Sequence, residues 1–212
     1  MNVFRNVLLL ALFFIESDFL YAQKSDLRVY TLTLMGQNSQ LGGNMVDLDK
    51  GRVYPIEEAG YNPKRIDFGF MYGRNTGGNL MVPISQGFLT FGDKFKEALL
   101  SWGNNRNNGT FINLGNTVEA QEIYQKIVSR VQIDALYSEW FDKIMTNPGY
   151  DPGKHGPGQR TRPIAVGDVV LFRSENKDTQ HILRIVKFVQ SQNGTLEIEV
   201  KSPLKNNKKG KL

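Results

Sequence analysis

The sequence predicts an α+β protein: a β-rich single domain over residues 23–204, with antiparallel sheets made of N-terminal strands and a C-terminal three-stranded meander, and two or three helices in the middle. Residues 28–34 (RVYTLTL) and 195–201 (TLEIEVK) alternate with the period-two pattern of strands that bury one face. The β-rich segments 167–173, 182–189 and 195–201 follow one another through short polar turns, one of them Asn193-Gly194, so they pair as neighbours. Residues 91–146 instead carry apolar side chains at helical spacing. At 212 residues and 40% hydrophobic, the chain buries a full core without metal or disulfide staples. Its complete lack of Cys excludes thiolate nucleophiles, CxxC redox pairs, cysteine zinc sites and acylated-cysteine anchors.

In chain order, the first strand directs Tyr30, Leu32 and Leu34 to the core and Val29, Thr31 and Thr33 away from it. A polar loop over 36–43 leads to a second alternating segment, 44–49, and Asp49-Lys50-Gly51 turns the chain into Val53-Tyr54. Pro55 to Gly60 suits one helical turn with Pro at its first position. Residues 66–72 place Ile66, Phe68, Phe70 and Tyr72 on one strand face, and the glycine-rich 73–78 joins this strand to another at 79–84. Phe95, Leu99 and Trp102 mark a helix over 91–102, a loop follows at 103–109, and 110–114 is a short strand. Asn116, with Glu119 three residues on, reads as the cap of a helix whose apolar stripe is Tyr124, Ile127, Val128 and Val131. The next apolar set, from Ile133 to Ile144, falls on the opposite side. Either the helix breaks near Gln132 or one helix lies between two apolar surfaces. Residues 147–163, with four Pro and four Gly, read as a long loop without helix or strand, a length associated with functional segments. The last strand, with Glu197, Glu199 and Lys201 opposite Leu196, Ile198 and Val200, has one wet face. No internal repeat is present.

Residues 1–22 have a basic start, a nine-residue apolar run over 7–15 and Ala22 at the expected cleavage point, the layout of a secretory signal peptide. The run is too short to span a bilayer, and no second one suggests a transmembrane segment. Its removal takes Arg5, Glu16 and Asp18 and moves the net charge from +5 to +6. An exported chain without Cys points to a bacterial protein of the periplasm, cell surface or medium that is not a lipoprotein. The basic tail 205–212 reads as disordered. Nucleic acid is not the expected partner, because four of the positive charges sit in that tail and export removes the chain from cytosolic nucleic acid.

Side chains with binding chemistry concentrate in the 147–163 loop. Tyr150, Asp151, His155, Arg160 and Arg162, with Lys154, are suited to an anionic or glycan ligand through ring stacking and charge-assisted hydrogen bonds. His181 is the second of only two His, so no clustered imidazole metal site exists, although a haem could take one His from each segment. Asp47, Asp49 and Asp67 would support glycoside hydrolysis only if they faced one another across a cleft; otherwise Asp49 is a turn former and the other two are polar strand positions. No nucleophile elbow, Walker loop or dinucleotide fingerprint occurs, so no catalytic residue is assigned.

Taken together, NMVDLDKGRVY from Asn44, IDFGFMYG from Ile66 and GDVVLFR from Gly167 resemble segments of secreted or surface β-rich proteins of the Bacteroidetes, and more distantly HmuY-type haem-binding proteins. The haem-binding resemblance implies His155, His181 or a Met such as Met71, Met81 or Met145 as axial ligands. HmuY-type proteins are typically lipoproteins, which this Cys-free chain departs from. The expected function is non-enzymatic binding of a small molecule, glycan or envelope polymer at the cell envelope or surface. Haem binding and glycan hydrolysis are the alternatives, and oligomeric state is not legible.

Overall fold

A computed structural model describes residues 25–204, so the expected signal peptide (1–22) and basic tail (205–212) lie outside the described residues. Ten strands form two five-stranded sheets, and every pairing between them is antiparallel. The first sheet contains β1 (Leu27–Met35), β6 (Gly109–Gly115), β8 (Val169–Ser174), β9 (Thr179–Phe188) and β10 (Thr195–Pro203), in the order β1-β10-β9-β8-β6. The second contains β2 (Met45–Asp47), β3 (Arg52–Tyr54), β4 (Phe68–Gly73), β5 (Gly77–Met81) and β7 (Arg160–Ile164), in the order β3-β2-β4-β5-β7. The expected meander is β8-β9-β10, and the expected hairpins are β2-β3 and β4-β5.

The alternation in each strand explains the layers. Leu32, Leu34, Val170, Phe172, Leu183, Ile198 and Val200 of the first sheet face Val46, Phe68, Phe70 and Leu80 of the second and form the central core. Phe68 meets Phe111 and Phe172 edge-on, with ring centroids 5.7 and 5.4 Å apart. The other face of the first sheet is covered by α3 (Val118–Lys126) and α4 (Arg130–Lys143), which bring Tyr124, Ile133, Tyr137 and Trp140 onto Ile112, Val169, Leu171 and Ile182. The other face of the second sheet is covered by α1 (Ile56–Ala59), α2 (Asp93–Ser101) and a 3-10 turn at Gln86–Thr90, through Ile56, Phe88, Phe95, Leu99 and Trp102 packed on Met45, Met71 and Met81. The result is helix, sheet, sheet, helix: three apolar clusters separated by two sheets. Among the described residues no helix is long and apolar enough to cross a membrane.

Local differences from the sequence reading have physical causes. The central apolar region is two helices, broken at residues 127–129. The first ends where Ile127 turns extended, and Ser129 starts the second with a capping box, its side chain accepting from Gln132 N while Gln132 Oε1 accepts from Ser129 N. That break lets Tyr124 and Ile127 of the first stripe and Ile133, Tyr137, Trp140 and Ile144 of the second face the sheet, while Val128 and Val131, expected in the first stripe, are exposed. Thr117, not Asn116, caps α3, accepting from Ala120 N at 3.1 Å. Residues 147–163 are not free of secondary structure: they hold the single turn α5 (Pro152–His155) and begin β7. Ile66 turns to the Met45 cluster, not to the Phe68 face. Nor is the outer face of β10 wet at its end, since Lys201 is buried beneath α3 and its Nζ donates to the carbonyls of Tyr124 and Ile127 at 2.6 and 2.8 Å. An ammonium there meets the carbonyl end of the helix, where positive charge is favourable.

Phe68 fills the centre where both sheets meet, so Phe68→Ala is expected to cost about 3–5 kcal/mol of stability. Urea unfolding of the variant against the unsubstituted protein measures this.

Candidate functional site

Two buried polar clusters stand at opposite ends of β8, and an open cleft lies beside the second. The first forms where the β2-β3 turn, the entry to β4 and the β8-β9 turn converge. Asp67 is fully buried between the sheets. Its Oδ1 accepts from Ser174 Oγ (2.9 Å) and Asn107 Nδ2 (3.3 Å), and its Oδ2 accepts from Leu48 N and Lys177 Nζ, both at 2.8 Å. Lys177 also donates to the Arg65 carbonyl at 2.8 Å and lies 3.6 Å from both Asp47 and Asp49. Burial pushes the Asp67 carboxyl up to about 6, and the Lys177 charge opposes that rise. The three carboxylates in turn raise the pKa of Lys177, chiefly through Asp67, against its own desolvation. Asp47, Asp49 and Asp67 are therefore brought together, as hydrolysis would require, but around an ammonium and not across a cleft. Lys177, with its side chain 13% exposed, closes the cluster to substrate.

His181 belongs to this end of the molecule. It is fully buried on the core face of β9, stacked on Phe172, with Nδ1 2.9 Å from Ser202 Oγ and Nε2 3.3 Å from Thr179 Oγ1. Desolvation lowers its pKa to about 3, so the ring is neutral at physiological pH. Both ring nitrogens have protein partners, and the imidazole is part of the core.

The second cluster organises the Pro/Gly segment. Asp168, fully buried just before β8, accepts at Oδ2 from Asn113 Nδ2 (3.1 Å) and Ala165 N (2.9 Å), and Lys154 Nζ approaches its Oδ1 at 4.0 Å. Thr161 Oγ1 donates to the Lys154 carbonyl at 2.6 Å. Asp151 caps α5, its Oδ1 accepting from Gly153 N and Lys154 N. His155 Nδ1 accepts from Asp151 N at 2.9 Å, its ring stacks beside Tyr150, and Tyr150 Oη donates to the Gly156 carbonyl at 2.6 Å. Burial, together with the neighbouring Lys154 charge, lowers the His155 pKa. Tyr150, Asp151 and His155 thus bond to one another and to their own loop. His155 and His181 belong to different clusters and do not face each other as a ligand pair.

Arg160 and Arg162 are different. They lie two residues apart on β7, whose register against β5 shifts between Thr161 and Ile164. Neither guanidinium pairs with a carboxylate among the described residues, and the buried Arg162 Nε has no hydrogen-bond partner. Partial burial and the charge of Arg162 lower the Arg160 pKa. Arg160 lines a cavity of about 350 Å³, with Gln159, Pro152 and Gly153 on its own side and Ser85, Gln86 and Gly87 opposite. Gly87 lets Met81 and Arg160 approach this wall closely: an added Cβ would lie 2.9 Å from Met81 Sδ and 3.0 Å from an Arg160 terminal nitrogen.

Of the six side chains singled out in the sequence, Arg160 is the one that lines this cavity. Gln86, Gly87 and Gln159 of the cleft, and Lys177, Ser174, Asn107, Asn113 and Asp168 of the clusters, were not singled out. The one local signal for any of them was Gly-Asp at 167–168, read as a strand start.

The fold defines an antiparallel β-sandwich clad on both outer faces by helices. No family model and no curated protein matches the chain. Among solved structures it is similar to the crystal structure of a DUF4466 family protein from Parabacteroides merdae, with a TM-score of 0.47 and 14% sequence identity over 84% of this chain and 53% of that one. The chain spans about half the length of that protein.

The Asp67 pKa lies above the 3.8 of an unperturbed Asp, so its contribution to stability is fully present below that value and is lost as pH rises through about 6. In Lys177→Met the opposing cation is gone, and the loss extends to higher pH. The variant is expected to be less stable than the unsubstituted protein by about 3–5 kcal/mol at pH 8, with a smaller deficit at pH 5. Denaturant unfolding at both pH values tests this, and a pH-independent deficit would contradict it.

Proposed function

We propose that the protein is a non-enzymatic binding protein of the bacterial cell envelope or surface, whose ligand is an anion, either a small molecule or the acidic group of a glycan or envelope polymer, held in the Arg160 cleft. The supporting observation is the Arg160 guanidinium, unpaired with any carboxylate among the described residues and lining a cavity of about 350 Å³, with Arg162 two residues further along β7. Guanidiniums bind carboxylate, sulfate and phosphate groups through paired, charge-assisted hydrogen bonds. Partial burial of Arg160 strengthens such bonds relative to a fully exposed site. The Asp168 cluster and the Asp151 cap fix the cleft wall before a ligand arrives, which lowers the ordering cost of binding. The envelope location rests on the signal-like residues 1–22.

Calorimetric titration with uronic-acid and sulfated oligosaccharides, against neutral ones of equal length, tests the reading. Arg160→Ala is expected to weaken binding of the acidic ligand by about tenfold to a hundredfold, and Arg160→Lys to recover part of it. Equal affinity for neutral and acidic ligands, or an unchanged affinity in Arg160→Ala, would exclude the cleft as the anion site.

A further inference from the structure

We propose that Lys177 and Asp67 are the partners of an autocatalytic isopeptide bond that ties the two sheets together covalently. This is independent of the binding reading. The cluster holds the three parts that amide formation needs. The nucleophile, Lys177 Nζ, lies 2.8 Å from Oδ2 of the electrophile, Asp67, in a site where Asp67 is fully buried and the Lys177 side chain nearly so. Donors already aim at the electrophile: Ser174 Oγ and Asn107 Nδ2 on Oδ1, the atom where negative charge develops on attack. The proton carrier is Asp47, 3.6 Å from Nζ, with its buried Oδ2 accepting no hydrogen bond.

The step balances without any co-reactant. Asp47 and Asp49 hold Lys177 protonated at rest, so the first event is transfer of one ammonium proton to Asp67 along their hydrogen bond. Amine and carboxylic acid replace two ions, and desolvation favours that exchange. The Nζ lone pair then adds to Asp67 Cγ, placing the oxyanion on Oδ1 before Ser174 and Asn107. Asp47 removes a second proton from the nitrogen and delivers it to Oδ2. The Cγ–Oδ2 bond breaks and Oδ2 leaves as water, so both protons lost by nitrogen end in that water and Asp47 is regenerated. No disulfide can supply such a link in a chain without Cys.

Intact-mass measurement of the denatured full chain is the direct test. The bond predicts a mass lower than that of the sequence by one water. After trypsin it predicts residues 66–74 joined to residues 174–184, the latter uncut at Lys177. Lys177→Arg is expected to restore the full mass whether or not that variant folds. Asp47→Asn is expected to form the link about 100-fold more slowly, and an unchanged rate would remove Asp47 from the mechanism. Full sequence mass in the unsubstituted protein, with 174–177 released as a free peptide, would overturn the proposal and leave the contact an ion pair only.

Discussion

A carboxylate removed from water between two sheets is the constraint around which this molecule is arranged. Asp67 precedes the strand that carries Phe68 and Phe70 into the central core, so its position sets the register of the central strand of the second sheet. An unpaired charge there would cost several kcal/mol. Its four donors come from three separate stretches of chain: Leu48 after β2, Asn107 before β6, and Ser174 and Lys177 at the end of β8 and in the turn that follows it. Both sheets must therefore be in place before the carboxylate is satisfied. Apolar area alone would let the sheets slide, whereas these bonds fix one alignment.

The same logic holds at the opposite end of β8. Asp168 is as deeply buried as Asp67 and serves Asn113 of β6 and the backbone after β7, which joins the first sheet to the edge of the second. Lys154 answers it more weakly at 4.0 Å from a partly exposed side chain, so this end depends on hydrogen bonds where the other depends on an ion pair. With both ends of β8 fixed, the segment between β6 and β7 can hold its irregular turns against a rigid frame. The cleft and Arg160 lie where that segment meets the second sheet.

Strands and helices were legible because alternation and helical spacing are local properties. Leu32 and Leu34 point inward and Phe95, Leu99 and Trp102 are buried as the pattern requires. The break between α3 and α4 was half legible: the phase change of the apolar stripe was visible, but an extended Ile127 and the Ser129-Gln132 capping box make the break without Gly or Pro. The polar clusters were not legible. Asp67 and Lys177 are 110 residues apart in sequence, and Lys177 sits in an Glu-Asn-Lys-Asp turn that reads as solvated. His181 misled for a related reason, because a rare imidazole at a strand end looks exposed until Phe172 and Ser202 close over it.

This contrast bears on where function resides. Tyr150, Asp151 and His155 have the chemistry of a binding site, yet each bonds to the loop that contains it, through Tyr150 Oη, Asp151 Oδ1 and His155 Nδ1. A side chain held within its own loop shapes a site, and the atom that holds it is not available to a ligand. Arg160, with Arg162 two residues along the strand, is ordinary in sequence and differs in one respect, a positive charge that the fold brings to a cleft without a carboxylate to meet it. Keeping two guanidiniums close together opposes stability, since each disfavours the other's charge. A fold that spends four donors on one buried carboxylate, and leaves these two cations without one, has its unmet electrostatic demand at the cleft, and an anion from outside is what would meet it.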